Sequence, residues 1–117
     1  MGPSKFLKPK PFKFNEKIPN NVEECIQHML KWDSGVDEFT RKTESDAIAS
    51  THHTIGKWIR NEWGLWTGSQ LKDYFLNLGL THPDDMSGVI IRSFHRHLNN
   101  KPLNIKNEVE RIKNIKI

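Results

Sequence analysis

The stretch KWIRNEWGLWTGSQL, residues 57–71, places three of the chain's four tryptophans within nine positions. Trp58 follows Ile55 at helical spacing, so the helix that leads into the stretch is predicted to bury it. Gly64 is a natural left-handed stop for that helix, and the Gly-Ser pair at 68–69 begins the next one. The stretch therefore predicts a corner between two helices, which we call the tryptophan corner.

Trp63 and Trp66 lie on either side of the glycine in this corner, and three roles are open for them. Large amphipathic rings can wedge two helices together, because exposed carbonyls at a helix end accept indole N–H bonds. The same rings, with Arg60 beside them, suit a recognition surface, since tryptophan and arginine are common interface anchors. A catalytic loop is the third role. We favour packing.

Apolar residues recur at helical spacing on both sides of the corner, and no strand-type alternation of useful length occurs. Caps and breakers bound the resulting segments. Residues 36–45 are polar and receive no assignment. The sequence predicts an all-α fold, a single compact bundle of four to five helices. The predicted helices cover about residues 21–33, 45–63, 70–78 and 83–98, with a weaker fifth after residue 103.

The net charge of +4 is unevenly distributed along the chain. Residues 1–18 form a basic, proline-containing N-terminal arm without periodicity, residues 19–102 the helical domain, and residues 103–117 a basic C-terminal segment. Residues 18–100 carry eight basic and eleven acidic side chains, so the positive charge belongs to the two ends. Nucleic acid is therefore a possible partner through the basic termini. The aromatic residues expected to pin the arm to the domain are Phe6, Phe12 and Phe14.

Charged residues make up 27% and hydrophobic residues 35% of the chain, the balance of a globular domain. No apolar run approaches the roughly 20 residues that cross a bilayer, and the N-terminus lacks the apolar core of a secretion signal. We therefore expect a cytoplasmic protein without membrane association. Cys25, the only cysteine, falls on an apolar stripe and is expected to be a small buried hydrophobe rather than a reactive thiol.

Histidine and aspartate side chains raise the question of catalysis or metal binding. A metal site built from His53, His82 and Asp85 is conceivable across two helices, but the sequence lacks the i, i+4 histidine pair typical of zinc sites. His82 beside Asp84 and Asp85 is the one candidate for acid–base work. The same run is more typical of a helix start, where Asp84 or Asp85 accepts backbone N–H bonds. We predict no cofactor, no metal and no catalytic residue.

Two rows of basic residues suggest a weaker hypothesis. Arg92 and Arg96 are one helical turn apart, and His53, Lys57 and Arg60 form a second row at helical spacing. If the rows face each other, they form an anion-binding groove in which Lys57, Arg92 and Arg96 bind the anion. Otherwise they are solvated faces paired with aspartate and glutamate, which is the interpretation we favour.

The run from about residue 50 to residue 102 resembles an uncharacterised family of small bacterial domains of unknown function. The shared pattern is a histidine-rich helix that leads into R-N-x-W-G-L-W, followed by a Gly-Ser helix start and H-P-D-D-M-S. The resemblance implies a bacterial source and supplies no activity. The residues that carry it are His52, His53, Gly56, Arg60, Asn61, Trp63, Gly64, Leu65, Trp66, Gly68, Ser69, His82, Pro83, Asp84, Asp85, Met86 and Ser87.

Small size, a helical core and the lack of a convincing catalytic set favour a non-enzymatic protein-binding module of inhibitor, immunity or adaptor type. Its partner is expected to be another protein, docked where the tryptophan corner meets the start of the last long helix. Two alternatives stay open: a nucleic-acid-binding protein that uses the basic tails and the arginine row, and a small enzyme with a His/Asp site. The expected binding residues are Arg60, Asn61, Trp63, Trp66, His82 and Asp85.

Overall fold

The chain is seen here in a computed structural model that describes residues 6–10 and 16–115, and the all-α prediction is confirmed. The described residues contain no strand, and one isolated bridge joins Lys8 to Ser34. None of their helices is both long and apolar enough to cross a membrane. The helices are α1 (Val22–Met29), α2 (Val36–Arg41), α3 (Glu44–Thr51), α4 (Ile55–Glu62), α5 (Gln70–Leu78), α6 (Pro83–Leu98) and α7 (Ile105–Ile115).

Helix α6 is the axis of the bundle, and each of the other six helices packs against it. Its buried apolar residues are not confined to one stripe, since Val89, Ile90 and Ile91 are consecutive and all within the core. A helix that is apolar on more than one side must be covered on more than one side. This explains why the shorter, one-sided helices surround it.

Local capping signals place several helix ends where the sequence predicts them. The Asn21 side chain accepts the Glu24 N–H at the start of α1, and Ser69 accepts the Lys72 N–H at the start of α5. Gly79 ends α5 in the left-handed conformation, with φ of 99°. These ends depend on side chains within three residues of the helix, so the sequence alone identifies them.

The prediction of one continuous helix over residues 45–63 is wrong, because α3 ends at Thr51 and α4 begins at Ile55. In a continuous helix the His52 carbonyl would accept the N–H of residue 56. Here it accepts a bond of 3.1 Å from the Arg60 guanidinium instead. The Thr51 hydroxyl also donates to the Ala47 carbonyl at 2.7 Å, a bond that competes with the helical pattern.

Two further features differ from the sequence-based expectations. Residues 36–41 form α2, a helix of six residues with one buried side chain, Phe39, too short to show a period. In the arm Leu7, not Phe6, is buried in the core, while Phe12 and Phe14 lie outside the described residues. The described residues therefore form seven helices where four or five were expected, because the segment 45–63 is divided and residues 36–41 are helical.

The three tryptophans of the corner have three different environments. Trp63 is fully buried, Trp58 is partly buried against the core, and Trp66 is 52% exposed. Trp58 was expected to lie inside the core, but the break before α4 places it at the core's margin. There its ring stands edge-on to the rings of Trp32 and Trp63, each at 5.5 Å between centroids.

Candidate functional site

Arg60, in the last turn of α4, is a buried cation that ties three segments together. It is 6% exposed, and its Nη1 donates to the Ser87 hydroxyl at 2.9 Å. Its Nε lies 3.3 Å from an Asp84 carboxylate oxygen, and its Nη2 donates to the His52 carbonyl. We call this arrangement the Arg60 bracket. It fixes the tryptophan corner to the start of α6.

Gly56 leaves the space that the Arg60 bracket needs. A Cβ at this position would lie 2.8 Å from Arg60 Nη1, closer than real Cβ atoms come. Gly56 has an ordinary helical backbone, so the glycine is explained by the approach of the guanidinium rather than by a special turn. The sequence marks this glycine only as one member of the family-like pattern.

The start of α6 is capped by His82, which corrects the expectation that Asp84 or Asp85 is the cap. The Asp84 N–H donates to His82 Nδ1 at 3.0 Å, and Pro83 occupies the first helical position. Because Nδ1 accepts this bond, the neutral ring carries its proton on Nε2. His82 is thus a hydrogen-bond donor at a half-exposed ring edge, and its Nδ1 lone pair is already used.

Trp66 lies beside His82 on the surface of the Arg60 bracket. The two rings are edge-on, with centroids 5.8 Å apart. The Trp66 carbonyl accepts a bond of 3.2 Å from Lys72 of α5, and the preceding residue, Leu65, is fully buried. The backbone is therefore held on both sides of Trp66, and the exposed indole lies against the His82 ring. We call the surface formed by Trp66 and His82 the indole edge.

Some of the six expected binding residues are exposed in the structure, and others are buried. Trp66, His82 and Asn61 are exposed, and Asp85 is half-buried in the first turn of α6. Trp63 is fully buried and Arg60 nearly so, which leaves neither available for direct contact with a partner in this conformation. Arg60 contacts Asp84 and Ser87 beside His82, whereas the Trp63 ring packs against the rings of His28, Trp32 and Trp58.

The arginines of the weaker hypothesis lie at the other end of α6, in contact with carboxylates. Glu44 Oε1 is 2.8 Å from Arg92 Nη1 and 2.9 Å from Arg96 Nε. Glu108 of α7 contacts both arginines as well, at 2.9 Å and 3.5 Å, and also Arg111 at 2.6 Å. We call these five residues the arginine–glutamate cluster. Lys57 is not part of it and lies exposed on α4.

The electrostatics of the arginine–glutamate cluster are those of a structural network. Partial burial alone raises the pKa of Glu44, but hydrogen bonds and charges from Arg92 and Arg96 outweigh it and hold that pKa below its ordinary value. The bond to Glu108 raises the pKa of Arg111. The Arg96 guanidinium also donates to the Leu103 carbonyl at 2.9 Å. The cluster therefore fastens α3 and α7 to α6.

His28, His95 and the cysteine have packing environments, whereas His53 and His97 are exposed. His28 lies edge-on to Trp63 at 5.5 Å, and its burial lowers its pKa from the ordinary 6.5. His95 Nε2 lies 2.8 Å from the Lys42 carbonyl, and His53 is exposed with its ring against His52. Burial raises the pKa of Cys25. Over residues 6–10 and 16–115, no three His, Cys, Asp or Glu side chains are grouped as a metal site requires.

The family comparison places the chain among proteins of unknown function. A family model described as Domain of unknown function (DUF6794) matches residues 18–98. This match spans well over half of the chain, so the protein belongs to that family. No curated protein and no solved structure gives a significant match. The matched region contains both the indole edge and the Arg60 bracket.

Proposed function

We propose that this member of a family of unknown function is a non-enzymatic module that docks a partner protein at the indole edge. The observation that carries the proposal is Trp66, whose indole is 52% exposed and lies edge-on against the His82 ring. An anchored aromatic ring offers a large apolar area and loses little conformational entropy on binding. Such residues dominate the binding energy of protein interfaces.

The surroundings of Trp66 support a preorganised docking surface. The Arg60 bracket binds Asp84 and Ser87 in the first turns of α6, so the position of His82 is fixed before a partner arrives, and Trp66 lies against the His82 ring. His82 Nε2–H offers a donor, and the exposed Asn61 amide offers both donor and acceptor groups. The proposed partner has an apolar pocket for the indole and a carbonyl or carboxylate acceptor for the imidazole.

The source and compartment belong to the same proposal. The resemblance in the sequence implies a bacterial protein, and the module is proposed to act in the cytoplasm, where single thiols stay reduced. The buried Cys25, with its raised pKa, is compatible with that compartment. An inhibitor, immunity or adaptor role is the class that suits a small docking module.

Nucleic acid is the second candidate, and the basic termini favour it. Residues 1–17 carry five lysines and one glutamate, and residues 101–117 carry five basic and two acidic side chains. Arg92 and Arg96 contribute little further positive charge for a nucleic acid, because they already contact Glu44 and Glu108. Binding to a DNA or RNA duplex, titrated with salt, tests this candidate, since phosphate contacts weaken steeply as salt is added.

The docking proposal is tested by capture followed by quantitative binding. The full chain captures its partner from a lysate of the source cell, and the purified pair is then measured by calorimetry. Trp66→Ala is expected to weaken binding by about 30-fold, the loss typical of a hot-spot residue. The matched control is Leu30→Ala, which removes another exposed apolar side chain, at the end of α1. Equal affinity of wild type and Trp66→Ala would contradict the proposal.

A further inference from the structure

A second feature of the molecule, separate from the indole edge, is an apolar cavity beneath the N-terminal arm. The cavity has a volume of about 350 Å³ and lies between residues 6–9 and helices α2, α3 and α4. Pockets that hold small molecules usually measure about 300–1,000 Å³. The volume therefore suits one short acyl chain or one ring system, and not a peptide or a nucleotide.

The cavity walls are mostly apolar and held by the core. Leu7, Phe39 and Ile55 line it, and all three are buried. Trp58 forms another wall, with its ring edge-on to Trp32 at 5.5 Å. Because these side chains belong to different elements that all pack on the core, the cavity is formed before any ligand enters.

The arm that covers the cavity is seated by backbone contacts against the turn that precedes α2. The Lys8 N–H donates to the Ser34 carbonyl at 3.1 Å, and Gly35 has φ of 78°. A Cβ on Gly35 would collide with the backbone of Phe6 and Leu7. The glycine therefore permits the close approach that turns an open groove into a covered cavity.

The border of the cavity includes two lysines. Lys8 and Lys42 both line it, from the arm and from the end of α2. Among the described residues neither ammonium group has an acidic partner, whereas Lys10, also in the arm, contacts Asp33. Lysine is a flexible point charge that suits a small anion. Apolar walls beside two such charges are complementary to an amphipathic anion.

We propose that this cavity binds a small amphipathic carboxylate, of the class of a medium-chain fatty acid. Its apolar chain would lie against Phe39, Ile55 and Trp58, and its carboxylate would lie near Lys8 and Lys42. The proposal uses none of the residues of the indole edge. Its success or failure is therefore independent of the docking proposal.

Fluorescence of the full chain with 1-anilinonaphthalene-8-sulfonate, an apolar anion, gives a direct test. We expect one saturable site from which decanoate displaces the dye at about fivefold lower concentration than decanol, the effect of a partly exposed ion pair. Lys42→Met removes this preference, and Lys57→Met, an exposed lysine outside the cavity, retains it. Equal displacement by decanoate and decanol, or the absence of a saturable site, would overturn the proposal.

Two more variants locate the site. Ser50→Trp fills the cavity from the exposed side of α3 and is expected to abolish dye binding, whereas Ala49→Trp on the same helix retains it. A second test does not depend on whether Ser50→Trp folds. Bromodecanoate quenches the fluorescence of a tryptophan that it contacts. Trp58→Phe is expected to lose most of the quenching, and Trp66→Phe to keep it. Quenching that survives Trp58→Phe would place the ligand elsewhere and refute this site.

Discussion

The two ends of α6 both rest on buried or half-buried arginines, but they satisfy them in opposite ways. At the N-terminal end, one guanidinium, Arg60, binds a carbonyl, a hydroxyl and a single carboxylate. At the C-terminal end, three guanidinium groups share the carboxylates of Glu44 and Glu108. The first arrangement supports an exposed indole, and the second has α7 packed over it.

The comparison shows that a row of arginines in a sequence does not by itself predict an anion site. What decides the role is whether the fold brings carboxylates to the row, and here it does so at one end of α6. Because Glu44 and Glu108 already contact these arginines, the C-terminal end of α6 has little capacity to bind an external anion. The N-terminal end retains an exposed indole and a histidine donor, and it is the end proposed to meet a partner.

The largest expected effect is the loss of Glu108, whose side chain is 6% exposed between Arg92, Arg96 and Arg111. Glu108→Gln should lower the free energy of unfolding by about 3 kcal/mol, because it leaves half-buried cations with too few counter-charges. Urea denaturation measures this loss. Glu110→Gln is the matched control, since Glu110 is an exposed partner of Lys113 and should change stability by less than about 0.5 kcal/mol. Equal losses of stability in Glu108→Gln and Glu110→Gln would contradict a structural role for the arginine–glutamate cluster.

The Arg60 bracket should contribute less, because it contains one cation rather than three. Arg60→Met is expected to cost about 2 kcal/mol, since it leaves the His52 carbonyl and the Ser87 hydroxyl oxygen without the guanidinium donor that they accept from. Lys57→Met, three residues earlier and exposed, is the control and should change little. A melting temperature unchanged by Arg60→Met would mean that the guanidinium serves a partner instead of the fold.

Acid should weaken the C-terminal end through Glu44. Because the folded-state pKa of Glu44 is lowered, the unfolded chain takes up the proton first as the pH falls. The stabilisation is complete above the ordinary pKa of 4.5 and is lost as the pH falls through the lowered value. Wild type and Glu44→Gln should therefore differ in stability at neutral pH and converge below pH 4.5. A constant difference across that range would contradict the ion pairing described here.

The smallest expected effect on stability is that of Trp66→Ala. The indole is half-exposed and contacts mainly the His82 ring, so its removal should cost less than about 1 kcal/mol. Thermal melting measures this, with Trp66→Phe as the conservative control. A loss of several kcal/mol would show that the ring is part of the core and would remove the reason to regard it as a docking residue.

The features that the sequence predicts well are local. The caps at Asn21 and Ser69 and the glycine end of α5 depend on side chains within a few residues. The break between α3 and α4 depends on Arg60 reaching back eight residues to the His52 carbonyl. The pairing of Arg92 with Glu44 spans 48 residues. Periodicity carries no information on such distant partners, so the roles of the arginines emerge only from the folded chain.

In the candidate site, too, the sequence predicts local features but not which side chains the fold exposes. Trp66 and His82 are prominent in the sequence as an extra aromatic ring and a helix-start histidine, and both are exposed in the fold. Trp63 has the same residue type only three positions earlier, and it is fully buried. Composition cannot distinguish these two indoles, because the backbone at Gly64 in the tryptophan corner decides which one faces solvent.

Site-specific photocrosslinking in the source cell tests the central claim most directly. Benzoylphenylalanine at Thr67, exposed beside Trp66, is compared with the same group at Asn114, exposed on α7. We predict one discrete adduct from position 67, its loss when Trp66→Ala is added, and no matching adduct from position 114. An adduct at position 67 that survives Trp66→Ala, or the same adduct from position 114, would contradict docking at the indole edge.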